Sequence, residues 1–326
     1  AVIVPGTQCA DLSHILSQNP GLAKHMPYDG ILTGSSVTLN FHAAWFDEAY
    51  RCQTVKLPYN GAYPRDIRNI FEVAEKSGHT LRHVFLAVDE ASYSGGTEEI
   101  KFPIPEYLYD FTPLNDIAYW LNKDVLLKYI VRPLAEASLQ GTKGTDVQDA
   151  YATWQLYGYG KWVVFQSYMS PEKTGQVYPR DYYLDAVRAN MEENILPLIR
   201  RHPECEFHVF YPPYSILYWY NYKKTEQIPA VIEKYKLLSS LFLAEKNVEL
   251  FCFTADAEIV TELENYSDYE HFSREISRLI VEKMARGEHR LYADTLEQTM
   301  EEMRAFAENY DYDGIWEGWE EYLYEK

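Results

Sequence analysis

The chain has 326 residues, 47% hydrophobic and 24% charged, a globular composition that excludes disordered and fibrous classes. Its 30 Lys and Arg stand against 49 Asp and Glu, and the net charge of -19 disfavours nucleic acid and anionic lipid, both bound through phosphate. No apolar run approaches the ~18 residues that span a bilayer.

The predicted elements alternate along the chain. Residues 30–33 (Gly-Ile-Leu-Thr) read as a strand ending in Gly34-Ser35-Ser36. Residues 54–57 form a second strand, followed by a turn at Asn60-Gly61 and a helix over 65–75. Ile67, Ile70, Phe71 and Ala74 fall on one face of that helix. Residues 83–88 (His-Val-Phe-Leu-Ala-Val) are a third strand closed by Asp89. Leu184, Val187, Met191, Ile195 and Leu198 stripe a long helix, and the strand 206–211 then stops at Pro212-Pro213. A helix over 228–244 leads to the strand 248–253.

Strands alternating with helices imply a parallel α/β sheet covered by helices on both faces. Ligands of such sheets sit beyond the carboxyl ends of the strands, which directs attention to the residues just after each strand. Residues 92–180 break the rhythm. They hold Phe102-Pro103-Ile104-Pro105, a helical stretch over 114–130 and many aromatics. We read them as an insertion, a lid or substrate wall, within a single domain spanning 1–326.

The chain starts at Ala1 without Met, so it is either processed or trimmed, and a signal or anchor could have been removed ahead of it. Cys9, Cys52, Cys205 and Cys252 form no C-x-x-C and read as buried thiols, with pairing left open. The 29 tyrosines suit a sugar-contacting cleft, although ordinary packing accounts for most of them.

A serine at a tight turn after a strand exposes its hydroxyl where free backbone N–H groups stabilise an oxyanion. Ser36 fits. Gly-Ser-Ser alone arises by chance in about one chain in ten of this length, so a base and its orienting carboxylate must also be found. Of nine histidines, two lie three residues after an Asp: Asp11…His14 and Asp268…His271. The first pair precedes the first strand. The second follows the last strand at the mouth of a helix marked by Phe272, Ile276, Leu279 and Ile280, which puts it on the edge that carries Ser36.

Pro212-Pro213-Tyr214-Ser215 reads either as pocket lining, through Tyr214 and Ser215, or as a plain strand stop. Trp219 and Tyr220 could stack on a sugar or pack in the core. Asp311-Tyr312-Asp313-Gly314 lacks the remaining ligand spacing of a calcium loop. No H-E-x-x-H, P-loop or G-x-G-x-x-G occurs, and neither metal nor cofactor is expected.

Strand-Gly-Ser-Ser, Gly61 after the second strand and Asp268-Tyr269-Glu270-His271 together resemble the SGNH (GDSL-like) hydrolase superfamily, in block order over about residues 28–286. Residues 102–110, 211–215 and 265–273 are similar to bacterial cell-surface members. That group includes the D-alanyl transfer protein of teichoic acid and partners of membrane-bound O-acyltransferases.

The resemblance implies a flavodoxin-like three-layer α/β/α fold with Ser36 as nucleophile, His271 as base and Asp268 as its orienter. It gives the backbone N–H groups of Ser36 and Gly61 as oxyanion donors, with Ser35, Asn60 and Asp89 beside them. It implies a serine esterase or O-acyltransferase acting on acyl groups of a cell-surface glycan or glycopolymer, with a membrane-bound O-acyltransferase as a possible partner. The location implied is extracytoplasmic, membrane-anchored through a removed segment; a cytoplasmic esterase is the weaker alternative. Two positions depart from the family. Ser35 stands where Asp is usual, and Ala87-Val88-Asp89 replaces the Gly-x-Asn whose amide completes the oxyanion hole. Losing that donor costs ~3 kcal/mol, and a charged Asp89 would repel the oxyanion. Either Asp89 is protonated, or it contacts polar groups of the substrate, or the hole uses two donors, or catalysis is feeble. The last favours the rival expectation, a scaffold protein that keeps the fold but not efficient turnover.

Overall fold

In the computed structural model, the described residues are 15–140, 158–173 and 175–317. Cys9, the Asp11–His14 pair and part of the expected insertion lie outside them. Six strands form one sheet: β1 (Gly30–Gly34), β2 (Thr54–Pro58), β3 (His83–Ala87), β4 (Glu206–Tyr211), β5 (Val248–Cys252) and β6 (Arg290–Leu291). Their order is β2-β1-β3-β4-β5-β6. The first five pair in parallel, with Gly30 opposite both Thr54 and His83, His83 opposite Glu206, and Phe207 opposite Val248. The order 2-1-3-4-5 is that of flavodoxin-like doubly wound sheets, in which the order reverses between β1 and β3.

β1, β2 and β3 are buried at every position, as strands covered on both faces must be. Alternate residues serve opposite faces. On one face Phe85 of β3 meets Phe46 of helix Ala43–Tyr50, with ring centroids 4.3 Å apart. On the other, helices Pro64–Lys76 and Leu196–Arg201 close over Thr33, Val84, Leu86 and Phe207. Fully burying one such Phe contributes about 1.5–3 kcal/mol.

The expectations differ from the structure in a few places. β6 pairs antiparallel with β5, an edge strand with no counterpart in the sequence reading. Two residues, one of them Arg290, give no apolar run to detect. The long striped helix forms over Leu184–Arg201 but widens to a π turn at Met191–Ile195. Pro197 just beyond lacks the N–H that would bond back to residue 193. The helix expected over 114–130 is instead a short helix Ile117–Trp120, a π-helical segment Val125–Val131 and a helix Arg132–Gln140. Asn122 Oδ1 accepts from Asp124 N at 2.9 Å, a local turn that interrupts the helix. Cys52, Cys205 and Cys252 are free thiols, and only Cys205 is fully buried. No helix among the described residues is long and apolar enough to cross a membrane.

Candidate active site

β1 delivers Ser36 to the carboxyl edge of the sheet at the reversal point. Gly34 has φ +142°, and a Cβ built there would lie 2.9 Å from both the Cβ and the carbonyl oxygen of Ala87. Only glycine lets the chain leave the strand this close to β3. Ser35 stays extended, and Ser36 then opens a short 3₁₀ turn, Ser36–Thr38. Thr38 secures the turn by donating its N–H and its hydroxyl to Ser35 O, at 3.1 and 2.7 Å. The first N–H groups of such a turn have no intrahelical partner.

The half-buried hydroxyl of Ser36 lies 2.7 Å from His271 Nε2. His271 Nδ1 lies 2.7 Å from Asp268 Oδ2. The carboxylate accepts a hydrogen bond from Nδ1–H, which leaves Nε2 as the acceptor for the Ser36 hydroxyl. Asp268 is itself held by its other oxygen, which accepts from the backbone N–H of Glu270 and of His271, both at 2.8 Å.

Burial disfavours charge on His271, but the Asp268 hydrogen bond and charge, with Glu270 and Asp89, outweigh it and raise the imidazole above 6.5. Burial likewise pushes Asp268 upward; His271 and the two backbone donors overcome that and hold it below its ordinary value.

The loop carrying Asp268 and His271 is pinned at several points. Tyr266 and Phe272 bridge across its base, and Ser267 N donates to His271 O at 2.9 Å. The Tyr266 hydroxyl donates to Pro213 O at 2.7 Å. Asn40 Nδ2 donates to Phe272 O at 3.1 Å, and Ser273 caps the following helix Arg274–Ala285.

Tyr214 and Ser215 follow β4 at the same edge of the sheet. Both are buried, and Ser215 donates its hydroxyl and its N–H to Tyr269 O, at 2.8 and 3.1 Å. Ser215 thereby holds the loop that carries Asp268 and His271. Trp219 is core, its indole N–H donating to Thr254 O at 2.9 Å, and Tyr220 packs beside Tyr312 and Trp316.

Asn60 and Gly61 follow β2 at the same edge, where Tyr59 N donates to Gly34 O at 3.0 Å. Gly61 has φ +60°, and the Lys101 side chain passes over it. Asp89 follows β3. The Ser35 hydroxyl beside its carboxyl favours the charged form, while Oδ1 is buried without a partner. Burial pushes this carboxyl up to about 7; Glu270 and Glu90 add to the rise, and the Ser35 hydroxyl and His271 oppose it.

Three features of the site escaped sequence reasoning. Glu90 is fully buried beside Asp89, in an ion pair with Lys234 and accepting from the hydroxyls of Tyr218 and Tyr222 at 2.8 and 2.6 Å. Glu270, inside the triad loop, is raised by burial, while Lys101 counters with positive charge. Tyr159, from the stretch 158–168, accepts from Asn40 Nδ2 at 2.9 Å, and Tyr168 sets its ring edge against Tyr269. None of these is visible as a motif, because each joins residues far apart in the chain.

Two stretches of the 92–180 segment thus reach the Ser36 edge, one through Lys101 and one through Tyr159 and Tyr168. The Tyr109 hydroxyl also meets that of Tyr59 at 2.6 Å, just after β2. Among the described residues, the grouping with metal-ligand geometry is His83, Glu206 and His208, at the amino-terminal ends of the strands.

The chain matches no protein-family model, and no curated protein matches it.

Proposed function

We propose that the chain is an SGNH-type serine acyl-esterase or O-acyltransferase, acting on acyl groups of a cell-surface glycan or glycopolymer. The reading rests on one observation: two 2.7 Å hydrogen bonds link a serine, a histidine and an aspartate, the serine and histidine 235 residues apart. Packing alone has no need of a hydroxyl, an imidazole and a carboxylate in this order.

In the proposed reaction, Ser36 Oγ attacks the ester carbonyl as His271 Nε2 takes its proton. Asp268 stabilises the imidazolium. The N–H groups of Ser36 and Gly61 receive the oxyanion, and a neutral Asp89 could donate a third hydrogen bond. His271 then protonates the departing alkoxide. Water or a sugar hydroxyl releases the acyl group from Ser36 by the reverse steps. The described parts of the 92–180 segment serve as the wall or lid of the substrate cleft, and the chain acts outside the cytoplasm.

A second reading, a scaffold that assists a membrane-bound O-acyltransferase, is favoured by two observations. Asp89 occupies the place of a neutral donor, and Leu114, Trp120, Leu121 and Leu127 are each more than half exposed. Fluorophosphonate labelling separates the two. The enzyme reading expects one adduct on Ser36 that is lost in Ser36→Ala; an unlabelled parent protein favours the scaffold.

A further inference from the structure

Far from Ser36, the amino-terminal ends of β3 and β4 carry a second cluster. His83 opens β3, and Glu206 lies opposite it in register at the start of β4. His208 stands two residues along β4, so all three side chains share one face of the sheet. His83 Nδ1 lies 3.2 Å from His208 Nε2 and 3.4 Å from Glu206 Oε2, and the last two atoms are 3.7 Å apart.

Those three separations describe a specific shape. A tetrahedral centre with ligands at ~2.0–2.1 Å places neighbouring ligand atoms ~3.3–3.4 Å apart. The two nitrogens and one oxygen already stand at three corners of such a tetrahedron, within a few tenths of an ångström.

The surroundings of His208 match what a metal-bound imidazole requires, while the other ring nitrogen of His83, Nε2, is buried without a partner. The ligand nitrogen of His208 is fixed by the other ring nitrogen, Nδ1, which bonds Glu249 Oε2 at 3.1 Å. Glu249 is in turn gripped by Arg290 Nη1 at 2.5 Å. A carboxylate behind a histidine orients the ring and makes it a stronger ligand. The Tyr50 ring packs against His208 with centroids 4.5 Å apart. Both histidines are buried, whereas the Glu206 side chain is 64% exposed. The fourth corner therefore opens toward solvent on the Glu206 side, where a water can complete the shell.

The geometry points to a divalent transition-metal site, of the zinc class, formed by His83, Glu206 and His208 with Glu249 as the carboxylate behind it. Two imidazoles and one carboxylate suit Zn²⁺, and its tetrahedral preference fits the observed spacing. Bound there, the ion clips β3 to β4 at the edge remote from the proposed catalytic residues. It takes no part in the acyl chemistry, and the inference stands whether or not Ser36 is a nucleophile.

The alternative is a hydrogen-bonded ladder, Glu206–His83–His208–Glu249–Arg290, that needs no ion. Titration of the chelator-treated full chain with Co²⁺, followed by displacement with Zn²⁺, distinguishes the two. The site predicts one equivalent bound, with the strong visible absorption of four-coordinate Co²⁺, bleached by Zn²⁺. Glu206→Gln, an exposed change that leaves the fold intact, should weaken binding at least tenfold, and Glu249→Gln about tenfold. Zn²⁺ should raise the melting temperature of the parent and not of Glu206→Gln. His271→Gln should bind like the parent. Equal Co²⁺ binding by parent and Glu206→Gln, binding lost in His271→Gln, or no four-coordinate spectrum in the parent overturns the proposal.

Discussion

The Ser35 hydroxyl lies beside the Asp89 carboxyl and favours its charged form, which sets the residue next to Ser36 against the acidic pair Asp89-Glu90 that follows β3. Asp89 is pushed up to about 7, chiefly by burial, so it changes charge in the range where a histidine base works. Below about 7 it is neutral and able to donate. Above, its charge opposes an oxyanion. His271 imposes the opposite demand, since it accepts a proton only when neutral, above its raised value.

The pH–rate profile for acyl-ester hydrolysis should therefore be a narrow bell, with an alkaline limb set by Asp89. Asp89→Asn should remove that limb and raise kcat at pH 8 by about tenfold or more, an amide donor being worth ~3 kcal/mol when fully engaged. It should also change stability. A carboxyl with a raised folded value holds its proton longer folded than unfolded, so stability falls as pH rises from about 4 to about 7. Melting curves of Asp89→Asn should lack that fall. An unchanged profile would show that Asp89 does not face the reacting carbonyl.

Asp268→Asn keeps an acceptor for the N–H groups of Glu270 and His271 but loses the charge that raises the imidazole. The acid limb of the rate profile should shift to lower pH, and kcat should fall about 10³–10⁴-fold. Melting temperature should change by only a few degrees. A profile with the acid limb in place would mean that another group supplies the base.

Gly34→Ala puts a methyl group 2.9 Å from the Ala87 backbone at φ +142°. We expect a loss of about 2–3 kcal/mol in denaturant unfolding and a larger proportional loss of activity, since β1 must shift and carries Ser36 with it. Full activity in the variant would show that the turn tolerates movement.

Much of this architecture is legible in the sequence because burial leaves a periodic trace. The apolar runs of β1 to β5 and the stripe Ile67, Ile70, Phe71, Ala74 are direct consequences of facing the core. Ser36, His271 and Asp268 were found by combining a glycine-serine turn with the rule that ligands gather beyond the strand ends, and the structure brings those three side chains together. Residues such as Glu90 and Lys234 were illegible. Their pairing spans 144 positions and follows from where two helices end up, which no local pattern encodes. The bond from the Ser215 hydroxyl to Tyr269 O, 54 positions away, has no local sequence signal either. The two-residue β6 and the broken helix over 114–130 failed for a different reason: short or polar elements carry too little periodicity.

Side-by-side turnover of a short acyl ester by the parent chain and by Ser36→Ala tests the central claim most directly. Ser36→Ala removes a single hydroxyl, so its melting temperature should stay within about 2 °C of the parent while kcat/KM falls about 10⁴-fold or more. Equal turnover by the two proteins, both folded, would contradict a Ser36 nucleophile and leave the scaffold reading in its place.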